Sequence, residues 1–374
     1  MSVYLIAFSI VLIFGYVAFL ILIYLAWQKY PAFKSSGNTN NLFASIIIPA
    51  RNEESNLSNI LSDIAVQDFD SSNFEIFVVN DHSEDNTLAV AEKFNEKFKN
   101  LTILDLPGNV HGKKQALASA ISMVKGKLII TVDADCRVGK HWLSTFTSFY
   151  CMHKPRLIIG PLLYAHEKNL LEHMQSFEII GLVASGAGAS ILGHPIMCNG
   201  ANLAFTKDTY LEVASNLKPG VASGDDLFLL LSVKQKWPKE IRFLKSANAL
   251  ALTKPATDIK SFLLQRKRWT SKARHYRDKD IIVVAGLVFI TNLIISISFF
   301  SGLFLPYLFL WFAILLIVKS FADLLLLNSF ARFFEKKLIL KYFWMAQIIY
   351  PFYIVFMSIY GNIGKFKWKD RIYR

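Results

Sequence analysis

The carboxylates of Asp133 and Asp135 close the run Ile129-Ile130-Thr131-Val132-Asp133-Ala134-Asp135, and two acids one residue apart can hold a hard cation. The apolar residues before them read as a buried β-strand, and on an extended strand residues two apart share one face. Both side chains can therefore meet a single Mg²⁺ or Mn²⁺, the kind of ion that bridges protein oxygens to a diphosphate. Open α/β sheets bind ligands at the carboxyl ends of their strands. An ordinary surface turn accounts for the same tripeptide, so the neighbouring segments have to decide.

Four further segments could do chemistry. Pro49-Ala50-Arg51-Asn52-Glu53-Glu54 follows the first apolar run and offers polar groups to a base and ribose, although a helix start rich in Asn and Glu reads the same way. In Asn80-Asp81-His82-Ser83-Glu84-Asp85, Asp81 stands at a strand end, where it can accept from a uracil imide or a ribose hydroxyl; Ser83 and Asp85 suit caps of the next helix. His111-Gly112-Lys113-Lys114 opens a helix, where amides and Lys113 favour a diphosphate and where a plain basic turn fits equally. Ser223-Gly224-Asp225-Asp226 also starts a helix, and either caps it or supplies a general base toward an acceptor hydroxyl.

Alternating apolar runs and helical patterns position these segments. Strands are expected over 44–48, 76–80, 101–106 and 128–132, with helices over 55–65, 87–98, 113–124 and 141–149. This is the pattern of βαβ units and a mostly parallel sheet in an α/β domain. Asn38-Thr39-Asn40-Asn41 reads as a polar linker before it.

Composition divides the 374 residues sharply. Residues 1–28 carry no charged side chain, and at about 1.5 Å per helical residue they outspan a hydrocarbon core. The missing basic n-region argues for a transmembrane anchor over a cleaved signal. A second uncharged run, 281–318, contains Pro306 and continues past Lys319 and Asp323, which suits a two-span hairpin; a third apolar stretch, 342–364, with Pro351 inside, suits a further, kinked span. Three or four spans are expected in all. Lys319 and Asp323, one turn apart, can neutralise each other near a span end.

Lys29 and Lys34 follow the first span and no charge precedes it, so the positive-inside rule puts the α/β domain in the cytoplasm at an inner (plasma) membrane. A third later span would then send the tail with Lys365, Lys367, Lys369, Arg371 and Arg374 outside, against the same rule. Three cysteines without metal spacing fit a reducing compartment. Much of the net charge of +13 lies beside the apolar runs, with nine Lys or Arg between positions 254 and 279. Anionic lipid headgroups are therefore the expected partner of that charge, and nucleic acid is not. Ile259, Phe262, Leu263, Trp269, Ala273 and Tyr276 recur at helical spacing, with Lys260, Lys267, Arg274 and Lys279 largely on other faces, which reads as an amphipathic interfacial helix.

Taken in order, Asp81, Asp133/Asp135, Asp225/Asp226 and Gln265-Arg266-Lys267-Arg268-Trp269 resemble the membrane-bound family-2 glycosyltransferases, the group with ceramide glucosyltransferase-like and polysaccharide synthase-like enzymes. The resemblance covers roughly 44–269 and the anchor-before, spans-after layout. It implies a GT-A fold over 42–256, an interfacial helix with the Gln-x-x-Arg-Trp motif over 257–280, and a membrane region with a basic tail over 281–374. It also implies that Asp81 contacts the nucleobase, that Asp133 and Asp135 serve the diphosphate and its Mg²⁺ or Mn²⁺, and that Asp226 is the general base. Gln265, Arg268 and Trp269 close over the donor in such enzymes. Pro49, Arg51, Glu53 and Lys113 join the donor side, while Cys198-Asn199-Gly200-Ala201-Asn202 resembles the small-residue acceptor loop, putting Asn199, Gly200 and Asp225 beside the acceptor. Asn80 and Asp225 depart from the family's usual Asp-Asp and Glu-Asp.

The resulting expectation is an inverting, metal-dependent transfer from a nucleotide-diphosphate sugar, a UDP-sugar first, to a lipid acceptor in the membrane. A processive polysaccharide synthase, a non-catalytic nucleotide-binding scaffold and a metal-dependent phosphohydrolase are the rivals.

Overall fold

The computed structural model describes residues 3–35, 42–216, 224–363, 366–368 and 371–373. The expected linker at Asn38 to Asn41, Ser223 of the acidic motif, and Lys365, Lys369 and Arg374 of the tail lie outside them. The chain begins with α1 (Val3–Lys29), β1 (Ala44–Ala50), α2 (Leu57–Ala65), β2 (Phe74–Asn80), α3 (Thr87–Lys93), β3 (Leu101–Asp105), α4 (Lys113–Met123) and β4 (Leu128–Val132). There follow β5 (Arg137–Val138), α5 (Trp142–His153), β6 (Leu157–Ile159), β7 (Leu162–Tyr164), α6 (Leu170–Ile191), β8 (Asn202–Thr206), α7 (Lys207–Val213) and α8 (Asp225–Lys236). Next come β9 (Ile241–Phe243), β10 (Ala251–Thr253), α9 (Ile259–Ser271), α10 (Lys279–Gly302), α11 (Pro306–Phe333) and α12 (Leu340–Tyr360), then the short antiparallel pair β11 (Phe366–Trp368) and β12 (Arg371–Tyr373).

Two compact units result, one of residues 30–166 and 193–254, the other of 1–29, 167–192 and 255–374. In the first, seven strands form one sheet in the order β3-β2-β1-β4-β8-β6-β9. The β3-β2-β1-β4 half is parallel, and β8 runs antiparallel to both β4 and β6. Strands buried on both faces need continuous apolar runs, and Ile46, Ile47, Ile48, Ile76, Ile129 and Ile130 are fully enclosed. Chain order reverses between β1 and β4, because β2 and β3 build outward from one side of β1 and β4 is added to the other. That switch point is where a doubly wound sheet leaves a crevice beyond its strand ends. A small sheet, β5-β10-β7, lies in the same unit.

The four strands agree with expectation, β4 residue for residue. The second helix ends earlier, at Lys93, and continues as turns through Phe98 whose rings stack inward at Phe94 and Phe98.

In the second unit α1, α10, α11 and α12 are long and apolar enough to cross a membrane, by length and composition. Pro351 sits inside α12. The Lys319 ammonium pairs with Asp323 at 2.6 Å and donates to Gln347 at 3.0 Å, and the Tyr16 hydroxyl donates to the other Asp323 oxygen at 2.6 Å. The anticipated self-neutralising pair is present, and α1 and α12 complete it. On α9 Ile259 is 65% exposed and Phe262 buried, and Lys267, expected on an outer face, is buried together with Arg266. Arg266 donates its Nε–H to Glu178 of α6 at 2.7 Å and its Nη2 pairs ionically with the same oxygen, Tyr353 of α12 donates to the same carboxylate, and Lys267 sits over the Tyr360 ring. Ion pairing and ring contacts here outweigh the simple apolar stripe that periodicity alone would bury.

Candidate active site

Asp81 follows β2, whose last residue Asn80 is in register with Ala50 of β1. Its backbone N–H donates to the Ala50 carbonyl at 2.8 Å, and its own carbonyl accepts from the buried Arg51 guanidinium at 3.1 Å. Arg51 also meets Glu84 at 3.4 Å, so it clamps the Asp81 turn from the neighbouring strand end. The Asp81 carboxylate accepts the Gly112 N–H at 3.0 Å, which ties it to the start of α4. Asn80, where an acid was the family's rule, donates to Asp105 at 2.6 Å and accepts the Ser83 N–H at 3.1 Å. An amide does both; a carboxylate would face Asp105 with like charge. Asp85 does accept the Thr87 N–H at the start of α3. Ser83 does not cap that helix; its hydroxyl accepts from the Asn52 N–H in the adjoining loop.

Asp133 and Asp135 do not lie on an extended strand. β4 stops at Val132, and the Cys136 N–H donates to the Asp133 carbonyl at 3.1 Å, making a turn that leads into β5. Ala134 and Cys136 enter the core, and that burial turns the intervening chain inward. The carboxylates still act on one another. Burial, then Asp133, then Glu53 push the Asp135 carboxyl up to about 6, opposed by the Thr253 hydroxyl at 3.2 Å and by Lys113. Glu53 is thus drawn into the acidic group through charge, while its backbone N–H is held by Thr87 at 2.7 Å. Pro49 is the next-to-last residue of β1, opposite Val79.

Lys113, the first residue of α4, forms an ion pair with Asp133. Burial works to lower its pKa, but Asp133, then Asp226 and Asp225, together hold it above the ordinary lysine value. Asp226 arrives from the first turn of α8, behind Gly224, whose φ of 97° is a conformation that side chains resist. One Asp226 oxygen accepts the Gly200 N–H at 3.0 Å and the other the Leu227 N–H at 2.8 Å. A Cβ built on Gly200 would lie 3.3 Å from Asp226 Cβ and 3.4 Å from Lys113 Nζ. Asn199 starts the turn into β8, its carbonyl accepting the Asn202 N–H at 3.0 Å.

The structure therefore brings Arg51, Glu53, Asp81, Lys113, Asp133, Asp135, Gly200, Asp225 and Asp226 into one unit, around the strand ends of β1, β2 and β4. Gln265, Arg268 and Trp269 stand on α9 of the other unit, where Gln265 accepts from Arg266 and the Arg266 guanidinium lies 4.2 Å from the Trp269 ring centroid. Sequence reasoning missed Thr131, whose hydroxyl donates to the Gly200 carbonyl at 2.9 Å, and Thr253, which reaches Asp135 from β10. Neither carries a local signal, because each matters only through a strand far away in sequence. Asp133 and Asp135 offer only oxygen in a region crowded with negative charge, which fits a hard divalent ion.

Two family models match the chain: glycosyl transferase family 2 over residues 45–209 and glycosyl transferase family group 2 over residues 128–360, the latter more than half of its length. The chain belongs to glycosyl transferase family 2. Among curated relatives of this family-2 chain, the poly(ribitol-phosphate) beta-N-acetylglucosaminyltransferase TarS of Staphylococcus aureus is 31% identical over 115 residues, 31% of this chain and 20% of TarS. The dolichyl-phosphate beta-glucosyltransferase ALG5D of Trichomonas vaginalis is 34% identical over 163 residues, 40% of this chain and 49% of that protein. The family-2 chain thus matches about a fifth to a half of the length of these relatives. The mannosyltransferase PcManGT from Pyrobaculum calidifontis, solved with GDP-Man and Mn²⁺, superposes with a TM-score of 0.54 at 16% identity and covers 96% of both chains. The fold is GT-A, with apolar helices at the N-terminus and in the C-terminal region.

Proposed function

We propose that this family-2 chain transfers a sugar from a nucleotide-diphosphate sugar, a UDP-sugar first, to a lipid acceptor at the membrane with inversion of the anomeric centre. The observation that carries the reading is the convergence of the Asp226 carboxylate and the Lys113 ammonium over Gly200. A base needs an open approach to an acceptor hydroxyl, and a glycine supplies it.

In this reading Asp226 removes the acceptor proton while the oxygen attacks from the face opposite the leaving diphosphate. The amides of Gly200 and Leu227 orient its two oxygens, and Asp225 and Asn199 border the acceptor. Lys113 offsets the charge of Asp133 and stands ready for the developing phosphate charge. Asp133 and Asp135 would hold Mg²⁺ or Mn²⁺, and such an ion supplies positive charge against the leaving diphosphate. Asp81 meets the nucleobase, with Pro49, Arg51 and Glu53 shaping its wall, and Gln265, Arg268 and Trp269 close over the donor.

Four helices of spanning length support a lipid acceptor, as does a relative that acts on a dolichyl phosphate. We assign the catalytic unit to the cytoplasmic side of an inner (plasma) membrane, and the basic residues around α9 and the tail to anionic headgroups.

The test is nucleoside-diphosphate release from UDP-glucose, UDP-galactose and UDP-N-acetylglucosamine in membranes with wild type or Asp226→Asn, with and without lipid extract. Release that needs lipid and drops about 10²–10⁴-fold in the variant supports the reading. Release that ignores lipid and survives in the variant overturns it in favour of a hydrolase.

A further inference from the structure

At the Asp81 turn stands a cluster whose two histidines the transfer reaction does not use. His82 follows Asp81 directly with a φ of 57°, which swings its ring back toward the start of α4. Its Nδ1 lies 3.1 Å from Asp81 Oδ1 and 3.3 Å from His111 Nδ1, and the two rings are 4.5 Å apart between centroids. One ligand atom from each of the three residues lies within 4.8 Å of the others.

Ordinary hydrogen bonding serves this arrangement poorly. A ring nitrogen carries a single proton, so His82 Nδ1–H can point fully at only one of its two neighbours. If His82 instead keeps its proton on Nε2, that proton is buried with no hydrogen-bond partner among the described residues, and an Nδ1 lone pair faces a carboxylate. In the first tautomer one of the two contacts goes without its own hydrogen bond, and in the second an Nδ1 lone pair faces the Asp81 carboxylate across 3.1 Å.

A metal ion removes the conflict. With metal–ligand bonds of about 2.0–2.1 Å, a tetrahedral ion sets its ligand atoms about 3.3–3.4 Å apart. Two of the three separations, 3.1 and 3.3 Å, match that edge, and all three lie within 4.8 Å. Two imidazoles and a carboxylate suit a d-block ion better than Mg²⁺, whose preference is for oxygen and water.

We propose that Asp81, His82 and His111 form a three-ligand site for a d-block divalent ion, Zn²⁺ foremost, built from different residues than the Asp133/Asp135 pair. The fourth position is left to water or an incoming ligand. His111 is exposed, so the ion has an entry path. If the proposed role of Asp81 at the nucleobase holds, an ion here takes the carboxylate away from the donor and inhibits transfer; that consequence rests on the functional reading, whereas the site itself does not.

The probe is Co²⁺, which takes Zn²⁺ sites and absorbs in the visible when tetrahedral. It is titrated into the full chain, purified in detergent without a histidine tag. The expected result is a visible band saturating at one ion per chain, erased by Zn²⁺ and not by Mg²⁺, absent in both His82→Ala and His111→Ala, and retained in Asp133→Asn. No thiolate charge-transfer band should accompany it. Absence of a saturating band, its survival in His111→Ala, or its loss in Asp133→Asn would overturn the proposal. His111 is a surface position, so its variant reports on the site with the fold intact. The titration involves no turnover, so it stands or falls separately from the transferase reading.

Discussion

The Asp226 carboxylate receives the backbone N–H of Gly200 at 3.0 Å, so the acid that heads α8 is held by the glycine that leads into β8. One oxygen is thus fixed by a residue 26 positions earlier, and the other by the adjacent Leu227 amide. This contact sets where a proton could be taken, and the glycine sets how much room remains above it.

Gly200→Ala should damage turnover while leaving the fold intact. The added methyl would sit 3.3 Å from Asp226 Cβ and 3.4 Å from Lys113 Nζ, closer than relaxed contact, so one of the two must move. A displacement of that kind at reacting groups costs about 10–100-fold in rate. Initial rates beside an unchanged melting temperature check it; a rate within twofold of wild type, about 0.4 kcal/mol, would mean that the space above Gly200 is not used.

Asp135 gives the protein a pH dependence of known sign. Its carboxyl is held at about 6 against an ordinary 3.8, so the folded chain binds the proton more tightly than the unfolded one. Stability of the metal-free protein should therefore fall as pH rises from about 4 to about 6 and then level off. Mn²⁺ should raise the melting temperature more at about pH 8 than at about pH 5, because protons compete for its ligands. Asp135→Asn should flatten both responses in thermal scans, and a variant that keeps the Mn²⁺ effect would remove Asp135 from the ion's ligands.

Asn202 should matter to stability more than any neighbour in its loop. It is fully buried, donates to the Pro161 and Ala249 carbonyls at 2.6 and 2.8 Å, and accepts the Trp142 indole N–H at 3.0 Å. Asn202→Ala strands three buried polar groups and should cost about 3 kcal/mol or more. Denaturant titration of the wild type and variant measures it directly.

Lys319→Met should destabilise the apolar helices by about 3–5 kcal/mol, because Asp323 and Gln347 lose a buried cation. Adding Asp323→Leu should recover much of the loss. A double variant no better than the single one in detergent melting would show that Tyr16 or packing, not charge, dominates that cluster.

The four parallel strands β1 to β4 were legible because burial on both faces demands long apolar runs, and 128–132 is such a run with a carboxylate just beyond it; β6, β8 and β9 of the same sheet were not anticipated. The acidic residues were legible because each stands at a strand or helix end. The geometry of Asp133 and Asp135 was not. Periodicity extended the strand through them, whereas the burial of Ala134 and Cys136 turns the chain after Val132. Lys267 failed for a related reason: a cation is assigned to the outer face until an aromatic ring such as Tyr360 is known to stand beside it.

Local sequence alone determined the α/β alternation, the apolar stretches on either side of it and the family, since these follow from patterns a few residues long. Tertiary structure decided which groups share a site. Thr131 meets Gly200, Thr253 meets Asp135, Asn80 needs Asp105, and His82 meets His111, each pair separated by at least 25 residues. Such meetings are set by strand order and by loops closed through long-range hydrogen bonds. No window along the chain contains both partners.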